Sequence, residues 1–219
     1  MPLPRGGWRR RIEVFSPKIG RRLSLGSYDA FRTWLVIEAN PAIESFTERP
    51  AHMDGPGRAI IDFWVKMRDA LSGEFWIIEG ARRPRDDAES SQDAPALPAI
   101  LHNHTLRMVR QGDLHAWSIP IANRSRIVPY LVSHRRFRDA LLEQSIVVFL
   151  GQPQTLDAVL EQFAVSDATS VEASLFALVA AGRVESPDLA VKALGGSTRF
   201  NVPEALRWQN LIHPQVRAP

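Results

Sequence analysis

Arg58–Ala81 reads RAIIDFWVKMRDALSGEFWIIEGA, two apolar runs joined by a short turn, each holding one carboxylate. Asp62 sits between Ile60-Ile61 and Phe63-Trp64-Val65, and Glu79 closes Phe75-Trp76-Ile77-Ile78. Runs of β-branched and aromatic residues around a Gly-containing turn predict a β-hairpin. Side chains alternate along a strand, so Asp62 shares a face with Ile60 and Trp64, and Glu79 with Phe75 and Ile77. Opposed residues of an antiparallel pair lie roughly 5 Å apart at Cβ, close enough for two carboxylates to share a divalent cation. An acid mid-strand beside an acid ending the next strand is the layout of a metal-dependent nuclease.

The 219 residues suit one large or two small domains, and 45% apolar residues suffice for a core. Without cysteine there is neither a disulfide framework nor Cys-ligated zinc. No apolar run approaches the ~20 residues of a membrane span, and the first twenty residues lack the apolar segment of a signal peptide. A soluble protein of the cytoplasm is expected. The cations are mostly arginine, with only Lys18, Lys66 and Lys192 as lysines. Residues 1–22 hold Arg5, Arg9, Arg10, Arg11, Lys18, Arg21 and Arg22 against Glu13 alone. Such a segment suits a phosphate backbone, because each neutralised phosphate releases counterions.

Pro2, Pro4, Gly6, Gly7 and Pro17 oppose regular structure, so residues 1–22 are expected as an extended basic arm. Ser27 offers an N-cap to a helix over Tyr28–Ala39, ended by Asn40-Pro41. Ala42–Thr47 alternates like a strand. Residues 82–98 are polar and Pro-bearing, a loop or linker. Ile100–Arg110 reads as a helix and Leu114–Ile121 as a returning strand. Helices are then expected over Arg135–Leu150, Thr155–Phe163 and, between Asp167 and Gly182, 168–181. Strands at 183–185 and 197–202 around Gly195-Gly196 complete a winged-helix pattern.

The stretch FSPKIGRRLSLGSYDAFRTWLVIEANPAIESFTERP (Phe15–Pro50), followed by IIDFWV and FWIIEG, resembles the TnsA endonucleases, the subunits of heteromeric transposases that cut the 5′ ends of the element. The likeness covers about residues 14–120. It implies an α/β chain, with a restriction-endonuclease-like domain over 23–125 followed by a small winged-helix domain over 126–219. It also implies DNA cleavage with Mg2+ or Mn2+ beside TnsB-like transposase and TnsC-like ATPase subunits. The family site uses a Glu on the first helix, a strand Asp, then a Glu or Gln and a Lys on the next strand. Asp62 and Glu79 fall on two of these positions and become the metal ligands. The helix Glu falls on Ala30, and the Lys on Ala81. Asp29 adjoins the first gap, but one helical step turns a side chain by about 100°. Arg82 adjoins the second, and a guanidinium cannot act as a base. Lys66, four residues past Asp62, would lie roughly 13 Å along the strand.

With two positions changed, the sequence leaves two readings open. One is a metal-dependent endonuclease with catalytic Asp62, Glu79 and Asp29. The other is an impaired nuclease fold that binds DNA and transposase subunits as an assembly factor. Arg9, Arg10, Arg11, Lys18, Arg21, Arg22, Arg135, Arg136, Arg138 and Arg199 are the expected DNA-binding cations. Helix 168–181 carries no Arg or Lys, which suits a protein partner better than base reading. His102-Asn103-His104 lacks the partners of a zinc or HNH site. Trp8 and Trp208, away from apolar faces, are candidate partner or DNA contacts.

Overall fold

The computed structural model describes residues 12–50, 61–68, 72–79 and 105–205. Arg9, Arg10, Arg11, Ala81, Arg82, His102, His104, Trp8 and Trp208 lie outside them, as does the linker 82–98. The chain divides into two compact units between Ala116 and Trp117, with Ala39–Ala42 grouped with the second. Among the described residues no helix is long and apolar enough to cross a membrane.

The first unit is mixed α/β. Strands β1 (Ile12–Ser16) and β2 (Arg21–Leu25) form an antiparallel hairpin. The end of the segment expected as an arm is therefore regular structure. Its turn closes through Gly20 N–H to Ser16 C=O, with Gly20 at φ 68°. Leu23 and Leu25 bury one face of β2, a two-residue alternation masked in sequence by the flanking arginines. Helix α1 (Tyr28–Ala39) has the bounds read from the sequence, and Ser27 Oγ accepts from Ala30 N–H as its cap. The main sheet runs β3-β4-β5-β6, with β3 (Ile43–Glu48), β4 (Phe63–Met67) and β5 (Gly73–Ile78) antiparallel. β6 (Thr105–Val109) lies parallel to β5. Ile61, Phe63, Val65, Trp76, Ile78 and Val109 are all buried, so this part of the sheet is a core layer.

Two sequence expectations are corrected at this point. Residues 105–109 of the expected helix 100–110 are strand β6, because main-chain pairing with β5 outweighs a weak helical spacing. The expected strand 114–121 is instead the end of α2 (Gln111–Ala116) and the start of α3 (Ser118–His134). Pro120 in the first turn of α3 costs little there, since those N–H groups have no partner within the helix. Pro129 is tolerated inside α3, whose buried face carries Ile121, Asn123, Ile127 and Val128.

The second unit packs α3, α4 (Ala140–Phe149), α5 (Leu156–Gln162) and α6 (Ala168–Ala180) around Ile127, Ile146, Leu150, Val171, Phe176 and Phe200. β7 (Gln154–Thr155) precedes α5 and pairs antiparallel with β8 (Arg199–Phe200), while Glu185 bridges Asn201. A short helix α7 (Asp188–Val191) lies between these last segments. Asp139, Thr155 and Asp167 cap α4, α5 and α6 through their side-chain oxygens. Gly182, at φ 72°, ends α6: its N–H reaches Val179 C=O while Arg183 N–H reaches Leu178 C=O. That pair of bonds is a Schellman motif, whose left-handed residue glycine adopts without a Cβ penalty. Asn123, 1% exposed, donates to Leu189 C=O and Lys192 C=O and accepts from Leu194 N–H, so one α3 side chain holds the loop around α7.

Glu38, 3% exposed at the end of α1, ties that helix to the first hairpin. Its carboxyl accepts from Ser16 Oγ at 2.5 Å and from Lys18 N–H at 2.6 Å, while Lys18 Nζ donates to Ile43 C=O at 2.8 Å. Burial raises the Glu38 pKa above 4.5, and the Ser16 and Lys18 bonds only partly offset it. In the window between 4.5 and the raised value, the folded chain binds more protons than the unfolded chain. The Glu38 contribution to stability is therefore fully present below 4.5 and is lost as pH rises through the folded pKa. Glu38→Gln, which keeps an acceptor for Ser16, is expected to flatten this stability–pH slope in urea denaturation. A slope identical in parent and variant would assign it to another group.

Candidate functional site

Asp62 lies immediately before β4 rather than within it, at the point where the ladder changes. Phe63 is in register with Trp76, yet Asp62 N–H also donates to Trp76 C=O at 3.0 Å. Two consecutive residues thus address one partner at the end of the ladder. On the other side, Asp62 C=O accepts from Arg49 N–H at 2.9 Å. The side chain then takes the place of a main-chain acceptor: Asp62 Oδ2 receives Ile78 N–H at 2.7 Å. The expected side-by-side opposition of two strand carboxylates is replaced by an acid anchored to the amide of the residue preceding Glu79. Neighbouring Cα atoms are about 3.8 Å apart, so this anchor holds the Asp62 carboxylate close to the Glu79 main chain.

Glu79 follows β5, and its N–H donates to Val109 C=O at 2.9 Å, extending the pairing with β6. Its side chain is exposed. Two residues beyond Val109, Gln111 Nε2 donates to Asp29 Oδ2 at 2.7 Å. Arg32 Nη1 stands 3.6 Å from Asp29 Oδ1, and Arg32 also donates to Leu114 C=O. Asp29 therefore belongs to the end of the sheet that carries Glu79, but Gln111 and Arg32 occupy its carboxylate. Ala30, where the first-helix Glu was expected, is 7% exposed. Among the described residues, no group of three or more His, Cys, Asp or Glu side chains is arranged to hold a metal ion. The donor set at this edge is Asp62 and Glu79, two hard oxygen donors. Magnesium is commonly held by one or two carboxylates, with waters and substrate phosphate oxygens filling the octahedron, and two such groups fit that pattern.

The lysines are placed elsewhere. Lys66 pairs with Glu44 at 2.8 Å, and Lys18 is bonded at Ile43, both at the far end of β3 from Arg49. Lys192 pairs with Asp188 at 2.9 Å in the second unit.

The candidate DNA-binding cations fall into distinct groups. Arg21 is held by Glu48 through two hydrogen bonds. Arg138 makes two bonds to Glu143, at 2.6 and 2.8 Å, and Arg199 lies 3.8 Å from Asp188. Arg135 is also engaged. Arg22 and Arg136 are exposed, with no side-chain partner among the described residues. On α6, Val171, Ala173, Ser174, Leu175, Phe176, Leu178 and Val179 are buried, leaving a narrow outer face without cations. Sequence reasoning missed the Gln111–Asp29 link and the Arg49–Asp62 main-chain bond, because neither has a spacing signal.

Comparison with protein-family models and with curated proteins gives no match.

Glu143 is only 7% exposed in its side chain, and Arg183 stands 3.7 Å away as a second, weaker counter-charge. Removing a partner leaves a carboxylate poorly compensated in low dielectric. Arg138→Ala is expected to cost about 1–2 kcal/mol in chemical denaturation, half-exposure of the arginine reducing the full buried-pair penalty. Arg136→Ala should stay within about 0.5 kcal/mol, as for surface substitutions generally.

Proposed function

We propose that the chain is a TnsA-like subunit of a heteromeric DNA transposase, cleaving DNA at transposon 5′ ends. The reading takes the first unit as a restriction-endonuclease-like domain and the second as a winged helix. The observation that carries it is the Asp62–Ile78 bond, which sets an acid beside Glu79 at the edge of a helix–meander–parallel-strand unit. Asp62 and Glu79 would hold a divalent ion, which when bound acts as a Lewis acid toward a phosphate oxygen. The chain's own part is positional. Ile78 N–H fixes the Asp62 carboxylate, while Glu79 is exposed where it can meet an incoming backbone. Working partners in this reading are DNA, a TnsB-like transposase and a TnsC-like ATPase.

A second reading, an assembly factor that clamps DNA and recruits transposase subunits without cutting, is favoured by Ala30 and by the engagement of Asp29 with Gln111 and Arg32. Both readings require DNA association through basic residues. Only the first requires the Asp62 carboxylate for strand cleavage.

Asp62→Asn separates them, because the amide keeps an oxygen acceptor for Ile78 N–H while removing the charge. With magnesium or manganese, the TnsB-like partner and transposon-end DNA, the parent is expected to nick and Asp62→Asn to lose at least ~100-fold in rate. Equal nicking by both would remove Asp62 from the chemistry, and no nicking by either would leave the assembly role. For DNA association, Arg22→Ala and Arg136→Ala should each reduce the slope of log K against log salt by about 0.9, whereas Arg21→Ala, already neutralised by Glu48, should change it little.

A further inference from the structure

Arg49 is placed unlike any other described cation of the first unit. It follows β3 and has φ 46°, the one positive φ among described non-glycine residues. A bulky side chain in the left-handed region persists where surrounding structure holds it there, and such positions concentrate at ligand clamps. The hold is visible: Arg49 N–H is bonded to Asp62 C=O, and Glu48 pairs with Phe63, so Arg49 stands opposite Asp62 across the strands. Its guanidinium lies against Gly26, just before α1, so closely that a Cβ at position 26 would clash with Nη2. The side chain is exposed and has no hydrogen-bond or ion-pair partner among the described residues. Asp29, the acid three residues beyond Gly26, is taken by Gln111 and Arg32.

We propose that Arg49 is the phosphate-binding residue of the Asp62 edge, gripping the DNA backbone from the side opposite Glu79. The role rests on the DNA-processing reading above and supplies what that reading lacks, a permanent positive charge on the residue that faces Asp62 across the strands. None of the three lysines stands in this position. Arginine suits the task because its planar fork donates two parallel hydrogen bonds to phosphate and keeps its charge at every working pH. It neither accepts nor gives up a proton. Its work is to neutralise a phosphate and set its register against Asp62. The left-handed backbone turns the side chain out of the ladder, and the bare Cα of Gly26 leaves room for the guanidinium.

The test uses the full chain, a fluorescein-labelled DNA duplex and anisotropy titrations at several salt concentrations. Three variants separate phosphate binding from a structural role. Arg49→Lys retains charge without the fork. Arg49→Gly removes the side chain and fits the left-handed backbone, and Gly26→Ala displaces the guanidinium while leaving Arg49 in place. Arg49→Gly is expected to weaken binding about tenfold, lower the salt slope by about 0.9 and keep or raise the Tm. Gly26→Ala should weaken binding in the same direction, and Arg49→Lys should restore most of the slope but only part of the affinity. Parental binding and slope in both Arg49→Gly and Gly26→Ala would overturn the assignment while leaving the DNA-processing reading intact. A fall in Tm with unchanged slope would make Arg49 structural and overturn it equally. A parent chain that fails to bind duplex at any salt concentration would overturn the underlying reading itself, and Arg49's role with it.

Discussion

The first unit depends on how three strands meet at Asp62. Its N–H, its C=O and one carboxylate oxygen bind respectively to Trp76, Arg49 and Ile78, so one residue stitches β5 and the end of β3 across the start of β4. Main-chain groups at a strand end need partners as much as those inside the sheet. A side-chain oxygen that supplies one is fixed in direction by the sheet, not by its own rotamer preferences. An acid held this way is a rigid feature of the edge. The neighbouring acid, Glu79, is bonded among the described residues only through its main chain.

Much of this architecture could be read from residue order. The caps at Ser27 and Asp167, the stop at Gly182 and the alternating apolar runs of β4 and β5 each have a local physical cause, and local causes leave marks in sequence. The β1–β2 hairpin was hidden because Arg21 and Arg22 make a strand look like a charged arm, while Leu23 and Leu25 form its buried side only once packed. β6 and the α2–α3 pair were misread for the converse reason. Their state is decided by pairing with β5 and by contacts of Asn123 with residues more than sixty positions away. The two acids of the candidate site were named from the sequence, although Asp62 was expected within its strand and lies just before it. Their geometry was not legible, since a side-chain oxygen that replaces a main-chain acceptor leaves no mark in the alternation.

Charge tells a similar story. Net positive charge and clustered arginines describe a polymer that attracts phosphate, but the fold decides which cations remain available. Glu48, Glu143 and Asp188 each absorb a nearby arginine or lysine, so the effective basic surface is smaller than the composition implies. The buried Glu38 shows the opposite economy. It is a charge-bearing residue removed from the surface, its cost reduced by Ser16 and the Lys18 main chain, and it serves to hold a hairpin on a helix.

The parallel pairing of β5 with β6 has a kinetic consequence. Successive antiparallel strands can zip up from their turns, whereas a parallel neighbour requires the chain to travel back to the starting end before any ladder bond forms. Contacts that close a long loop form slowly relative to those that close a short one. The β3–β4–β5 meander is therefore the early platform and β6 the late arrival. Glu79 N–H finds Val109 C=O only on that arrival, so the edge carrying the two acids is completed after the meander has paired.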